Sequence, residues 1–132
     1  MTTDPVEMER RLHGKRLLVV EDEYMIALDI AGTLESLGVQ VVGPVGSVRE
    51  ALAIVNREEE RLDAAVLDIN LRGERVYAVA DALLARHVPF IFATGYAELL
   101  LDKAYMRIPR CEKPIDKREL IRQLATAMDQ AH

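Results

Sequence analysis

The chain contains no tryptophan, only two phenylalanines and four tyrosines, so branched aliphatic side chains must build its core. Its single cysteine, Cys111, excludes an internal disulfide. With no signal peptide in evidence, this leads to the expectation of a reducing, cytoplasmic location. Cys111 lies in a short apolar segment and reads as a small core residue. No apolar run approaches the roughly 20 residues that a membrane helix needs, so no membrane span is expected. The three histidines, His13, His87 and His132, stand far apart and read as surface residues, without a second Cys or His at metal-ligand spacing. Basic residues are not in excess: the net charge is −5, which argues against DNA as a partner. No G-x-G-x-x-G turn follows the first apolar run, which excludes a dinucleotide-binding unit.

What is present suits one soluble domain. A chain of 132 residues, half of them hydrophobic and 30% charged, buries roughly two-thirds of its unfolded surface. Residues 1–14 form a polar N-terminal extension, in which Glu7 to Leu12 can make a short helix; residues 15–132 form the domain proper. The run "KRLLVVED" (15–22) is a buried strand ending in two acids. Residues 23–38 repeat apolar positions at helical spacing and close on Gly38. "VQVVGPV" (39–45) is a strand stopped by Gly43 and Pro44. Residues 47–60 open with Ser47 and Glu50 at capping-box spacing. A third strand, 62–68, ends on Asp68, and a polar loop, 69–74, follows. Then come a helix (75–87), a strand (88–94), a weaker helix (97–105), a short strand (107–113) marked as an edge by Pro109, and a final helix (116–130) capped by Asp116. Five strands alternating with five helices predict an α/β fold, a five-stranded parallel sheet with helices on both faces. Its binding crevice lies at the carboxyl ends of the strands.

Those ends carry the chemistry. The first strand finishes at Glu21 and Asp22, the third at Asp68, the fourth at Thr94 and the fifth at Lys113. Singly, each is better read as a cap, a turn residue or a solvated lysine. Jointly they set three carboxylates, a hydroxyl and an ammonium on one rim. Clustered carboxylates repel unless a proton or cation intervenes. Hard oxygen ligands without His or Cys suit Mg²⁺. A cation, a lysine and a threonine around one aspartate form a device for phosphoryl transfer onto it.

The sequence resembles the receiver domains of two-component response regulators over residues 15–130. The matching pieces are "VVEDE", "VLDINLRGE", "FATGY" and "KP". Asp22 and Asp68 are 46 residues apart, Asp68 and Thr94 26, Thr94 and Lys113 19. The resemblance implies the flavodoxin-like strand order 2-1-3-4-5 and phosphorelay chemistry with Asp68 as phosphoacceptor. It implies Mg²⁺ (or Mn²⁺) held by Asp22 directly, by Glu21 through water, by Asp68, and by the backbone carbonyl of Asn70, whose side chain then matters less. Thr94 and Lys113 would contact phosphoryl oxygens, and the Lys113–Pro114 bond would be cis. The implied partners are a sensor histidine kinase and a histidine phosphotransfer protein or other downstream protein, and a homodimer through the last two helices is allowed. Self-catalysed phosphorylation and dephosphorylation are implied, not turnover of an external substrate.

One departure stands out. Typical receivers carry an aromatic residue three positions before the lysine; here it is Arg110. "FATGY" looks like the FATGUY-type subfamily, which lacks that switch aromatic. The expectation is that Tyr96 and residues 97–105 carry the response instead, with 97–106 the most mobile internal region. No output domain is read after residue 130, so output passes through protein contacts or onward phosphotransfer. Arg107, Arg110, Lys117, Arg118 and Arg122 give the last segment local positive charge. Two other classes are weighed. An aspartate-nucleophile phosphatase usually has a second aspartate where Asn70 stands. A phosphorylation-independent pseudo-receiver usually lacks an acid, the acceptor or the lysine, and all are present here.

Overall fold

The computed structural model describes residues 4–95 and 103–130. In chain order its first elements are α1 (Pro5–Leu12), β1 (Arg16–Val20), α2 (Tyr24–Ser36), β2 (Gln40–Val45), α3 (Val48–Val55) and β3 (Ala64–Asp68). There follow β4 (Asn70–Leu71), β5 (Glu74–Arg75), α4 (Tyr77–Ala85), β6 (Phe90–Thr94), a 3-10 turn (Lys103–Tyr105), β7 (Arg110–Glu112) and α5 (Lys117–Gln130). The main sheet is parallel, in the order β2-β1-β3-β6-β7. Leaving aside the small β4–β5 ladder, this is the 2-1-3-4-5 order that the resemblance implies.

The apolar runs sit where a sheet covered on both faces requires them. Every residue of β3 and β6 is buried. Alternate side chains feed two cores. Leu18, Val20, Ala65, Leu67, Phe90 and Phe92 face α3 and α4. Leu17, Val19, Ala64, Val66, Ile91 and Ala93 face α2 and α5. The helix starts are capped as read: the Ser47 hydroxyl accepts from the Glu50 N–H at 3.1 Å, and Asp116 accepts from Arg118 N–H at 2.8 Å. The N-terminal segment is packed on the fold. Met8 and Leu12 of α1 are buried, Leu12 joins the core beneath α5, and Arg11 pairs with Asp129.

Local differences from the sequence reading have physical causes. β2 does not stop at Gly43 and Pro44 but runs through them to Val45. Leu18 pairs with Val42 and Val20 with Val45, so β2 holds one extra residue there. That bulge absorbs Gly43, at φ +93, and the missing N–H of Pro44 in an edge strand. The loop expected at 69–74 contains the two-residue hairpin of β4 and β5. Of the helix expected at 97–105, the described part, Lys103–Tyr105, is a 3-10 turn. Residues 96–102, including Tyr96, lie outside the described residues.

Candidate functional site

The carboxyl ends of β1, β3, β6 and β7 converge. The Glu21 N–H donates to Val45 O at 2.9 Å, so the end of β2 holds the first acid in place. Glu21 is 3% exposed; its Oε2 accepts from the Glu23 N–H at 3.0 Å, and its Oε1 lies 2.8 Å from Lys113 Nζ. Asp68 ends β3 and is 5% exposed. Its Oδ1 accepts from the Asn70 N–H at 3.3 Å, while its Oδ2 is 3.4 Å from Lys113 Nζ. Asp22 is half-buried, and carboxylate oxygens of Glu21, Asp22 and Asp68 all lie within 4.8 Å of one another.

Thr94 and Lys113 arrive on adjacent strands. β3 pairs Asp68 with Ala93, which sets Thr94 one residue beyond the register of Asp68. Thr94 is fully buried, and its hydroxyl has no hydrogen-bond partner among the described residues. Lys113 extends the β6–β7 ladder, its N–H donating to Thr94 O at 2.8 Å, and the Lys113–Pro114 bond is cis. The structure thus brings Glu21, Asp22, Asp68 and Lys113 together and sets Asn70 and Thr94 on the same edge.

The electrostatics follow from three acids facing one internal cation. Burial pushes the Asp68 carboxyl up to about 8, Glu21 beside it adds to the rise, and Lys113 opposes it. Burial pulls the Lys113 ammonium down, but Glu21 and Asp68 outweigh it and leave the group above its ordinary value. A carboxyl that retains its proton this far is short of positive charge. The donor set, three carboxylates and no nitrogen or sulfur, fits a hard divalent cation such as Mg²⁺.

Some features of the site were not read from the sequence. Gly46, in the loop after β2, lies against the acidic pair: a Cβ there would sit in van der Waals contact with Asp22, 3.4 Å from its Cα. Tyr105 is 8% exposed, stacks on Tyr77 at 4.5 Å between centroids, and donates to Asp81 Oδ1 at 2.7 Å. Both rings meet Phe92 edge-on, two residues before Thr94. At the position three before Lys113, Arg110 donates to Met106 O at 3.1 Å. Arg122 is paired with Glu119 at 2.6 Å, which reduces the expected positive charge of that segment. Among the described residues no helix is long and apolar enough to cross a membrane.

A parallel five-stranded sheet with this acid triad, threonine and lysine at its carboxyl edge defines the chain's class: it belongs to the receiver domain family of response regulators. It is similar to SdrG from Sphingomonas melonis, with 40% identity and a TM-score of 0.76, covering 86% of this chain and 95% of that one. The response regulator PhyR from Brucella abortus matches at 30% identity and a TM-score of 0.77, over 94% of this chain and 51% of that one. The receiver domain of a sensor histidine kinase from Pseudomonas aeruginosa, with magnesium in its active-site cleft, matches at 27% identity and a TM-score of 0.74, over 88% and 98%. The chain spans 32% to 40% of the length of the curated relatives it matches. No family model matches the sequence.

Proposed function

We propose that the protein receives a phosphoryl group on Asp68 from a sensor histidine kinase and signals by protein contact or by onward transfer to a histidine phosphotransfer protein. The observation that carries this reading is the Asp68 carboxylate. It is nearly buried at a strand end, 3.4 Å from Lys113 and within 4.8 Å of Glu21 and Asp22. When bound through Glu21, Asp22, Asp68 and the Asn70 carbonyl, Mg²⁺ or Mn²⁺ would supply positive charge against the phosphoryl oxygens.

The chain's own residues do the rest. An Asp68 oxygen attacks phosphorus as the P–N bond of the donor phosphohistidine breaks. The imidazole leaves with the electron pair and takes up a proton. Lys113 offsets the charge on the transferred group. The Thr94 hydroxyl, without a partner among the described residues, would donate to a phosphoryl oxygen and draw the end of β6 toward the site. Hydrolysis forms a new O–P bond from water, breaks the Asp68 O–P bond and returns the carboxylate with inorganic phosphate. Asp68 is modified and restored, with no external substrate turned over. Arg110 in place of an aromatic, with "FATGY" at Thr94, supports the FATGUY-type subfamily. Cytoplasmic placement fits the single buried cysteine.

The test is intact mass after incubation with acetyl phosphate, with and without Mg²⁺, beside Asp68→Asn. One phosphoryl addition that needs both Mg²⁺ and Asp68 is the expected result. No addition from acetyl phosphate or from a phosphorylated kinase would favour a phosphorylation-independent binding module.

A further inference from the structure

The hairpin directly after the acceptor has a strained turn. β4 and β5 pair Leu71 with Glu74, leaving Arg72 and Gly73 as the two turn residues, at φ +54 and φ +88. Positive φ at both positions is the pattern of the tight primed hairpin turns, which strongly prefer Asn-Gly or Gly-Gly. Arg72 is a poor residue for it, because a Cβ disfavours the left-handed region. Something must therefore hold the turn.

Two features do. Ile69, Leu71 and Val76 are buried in the core under α3 and α4, and the Val76 N–H donates to Ile69 O at 2.9 Å. They anchor the base. At the tip, Asn70 Oδ1 accepts from the Gly73 N–H at 2.9 Å. The same Asn70 donates its backbone N–H to Asp68 Oδ1. So the residue that closes the turn with its side chain orients the acceptor with its backbone. The two Asp68 oxygens are divided between fixed partners, Oδ1 on Asn70 and Oδ2 on Lys113.

We infer that Asn70 is a positioning residue for phosphoryl acceptance: its side chain locks the Arg72-Gly73 turn, and the locked turn fixes the backbone N–H that aims the Asp68 carboxylate. The inference rests on the reading of Asp68 as acceptor. It departs from the expectation that the Asn70 side chain matters less than its backbone carbonyl. A side chain committed to Gly73 acts through the turn, and that makes its role separable from direct contact with the phosphoryl group.

The experiment measures the rate of Mg²⁺-dependent phosphorylation by acetyl phosphate in four proteins: wild type, Asn70→Ala, Arg72→Asn, and the double variant. Losing the Gly73 N–H to Asn70 Oδ1 hydrogen bond, which holds the N–H that orients the nucleophile, is expected to slow Asn70→Ala about fivefold. Arg72→Asn creates an Asn-Gly turn that needs no lock, so it should match wild type. The double variant should recover most of the lost rate. Thermal midpoints serve as a folding control. An unchanged rate in Asn70→Ala overturns the inference. So does a double variant as slow as the single one, which would assign Asn70 a direct role. A wild type that takes up no phosphoryl group sinks the acceptor reading itself and the inference with it, and that failure is visible before any variant is compared.

Discussion

Lys113 is bound to Thr94 through the backbone and to Glu21 through its side chain: its N–H reaches Thr94 O at 2.8 Å and its Nζ reaches Glu21 Oε1 at 2.8 Å. One residue thus ties the end of β6 to the end of β1 across Asp68 at the end of β3 between them. Truncating Lys113 leaves the Glu21 carboxylate, whose side chain is 0% exposed, without its cation. Lys113→Met is expected to destabilise the metal-free protein by about 3 kcal/mol. Mg²⁺ should recover much of the loss. Urea unfolding with and without Mg²⁺ checks both.

The proton on Asp68 makes the metal-free protein pH-sensitive. In the unfolded chain this carboxyl ionises near the ordinary 3.8, and in the fold at about 8. A raised pKa gives stability that is complete below the unfolded value and lost as pH rises through about 8. A divalent cation held by the Asp68 carboxylate would have to displace that proton. Mg²⁺ affinity should therefore climb roughly tenfold per pH unit through the neutral range and level off above about pH 8. Calorimetric titrations in buffers of different ionisation heat would show close to one proton released per ion at pH 7. Asp68→Asn should abolish the release.

Thr94→Val separates stability from response. The hydroxyl is buried without a partner among the described residues, and an unsatisfied buried group costs about 1–3 kcal/mol. The valine variant should be more stable than wild type by about 1 kcal/mol. It should still accept a phosphoryl group, while chemical-shift changes at the end of β6 on phosphorylation shrink.

Tyr105 anchors the 3-10 turn that precedes β7. Tyr105→Phe should lose about 1 kcal/mol through the Asp81 hydrogen bond. Tyr105→Ala should lose about 3–5 kcal/mol by uncovering Tyr77 and Phe92. Thermal unfolding distinguishes the two.

Leu12 tests whether α1 belongs to the fold's stability. It is fully buried in the core beneath α5, so Leu12→Ala should cost about 2–5 kcal/mol. An exposed neighbour such as Val6→Ala should cost little.

The strands and their polar ends were legible because the apolar runs of β1, β3 and β6 break abruptly at Glu21, Asp68 and Thr94. Order and spacing then supplied the site. Other features depend on contacts that no local pattern encodes. Gly43 and Pro44 read as a stop, yet an edge strand can absorb both in a bulge. Arg72 hid the hairpin, since arginine is not a residue expected at positive φ. The Tyr77–Tyr105 stack joins residues 28 positions apart and follows from tertiary packing alone. Tyr96, proposed from sequence as a responder, lies outside the described residues.

The way α1 lies along α5 has a practical consequence. Pro5 and Glu9 share a groove with Asp116 and Arg118 at the start of α5, whereas Arg11 meets Asp129 near its end. The two helices therefore run side by side in the same direction. A dye or affinity handle attached near residue 4 sits on the side of the molecule where Pro114 leads into α5, the side that carries the acidic cluster. One attached after residue 130 sits at the far pole. Immobilising the protein through that far end leaves the acidic rim facing solvent, and a reporter at the near end sits on the same side as that rim.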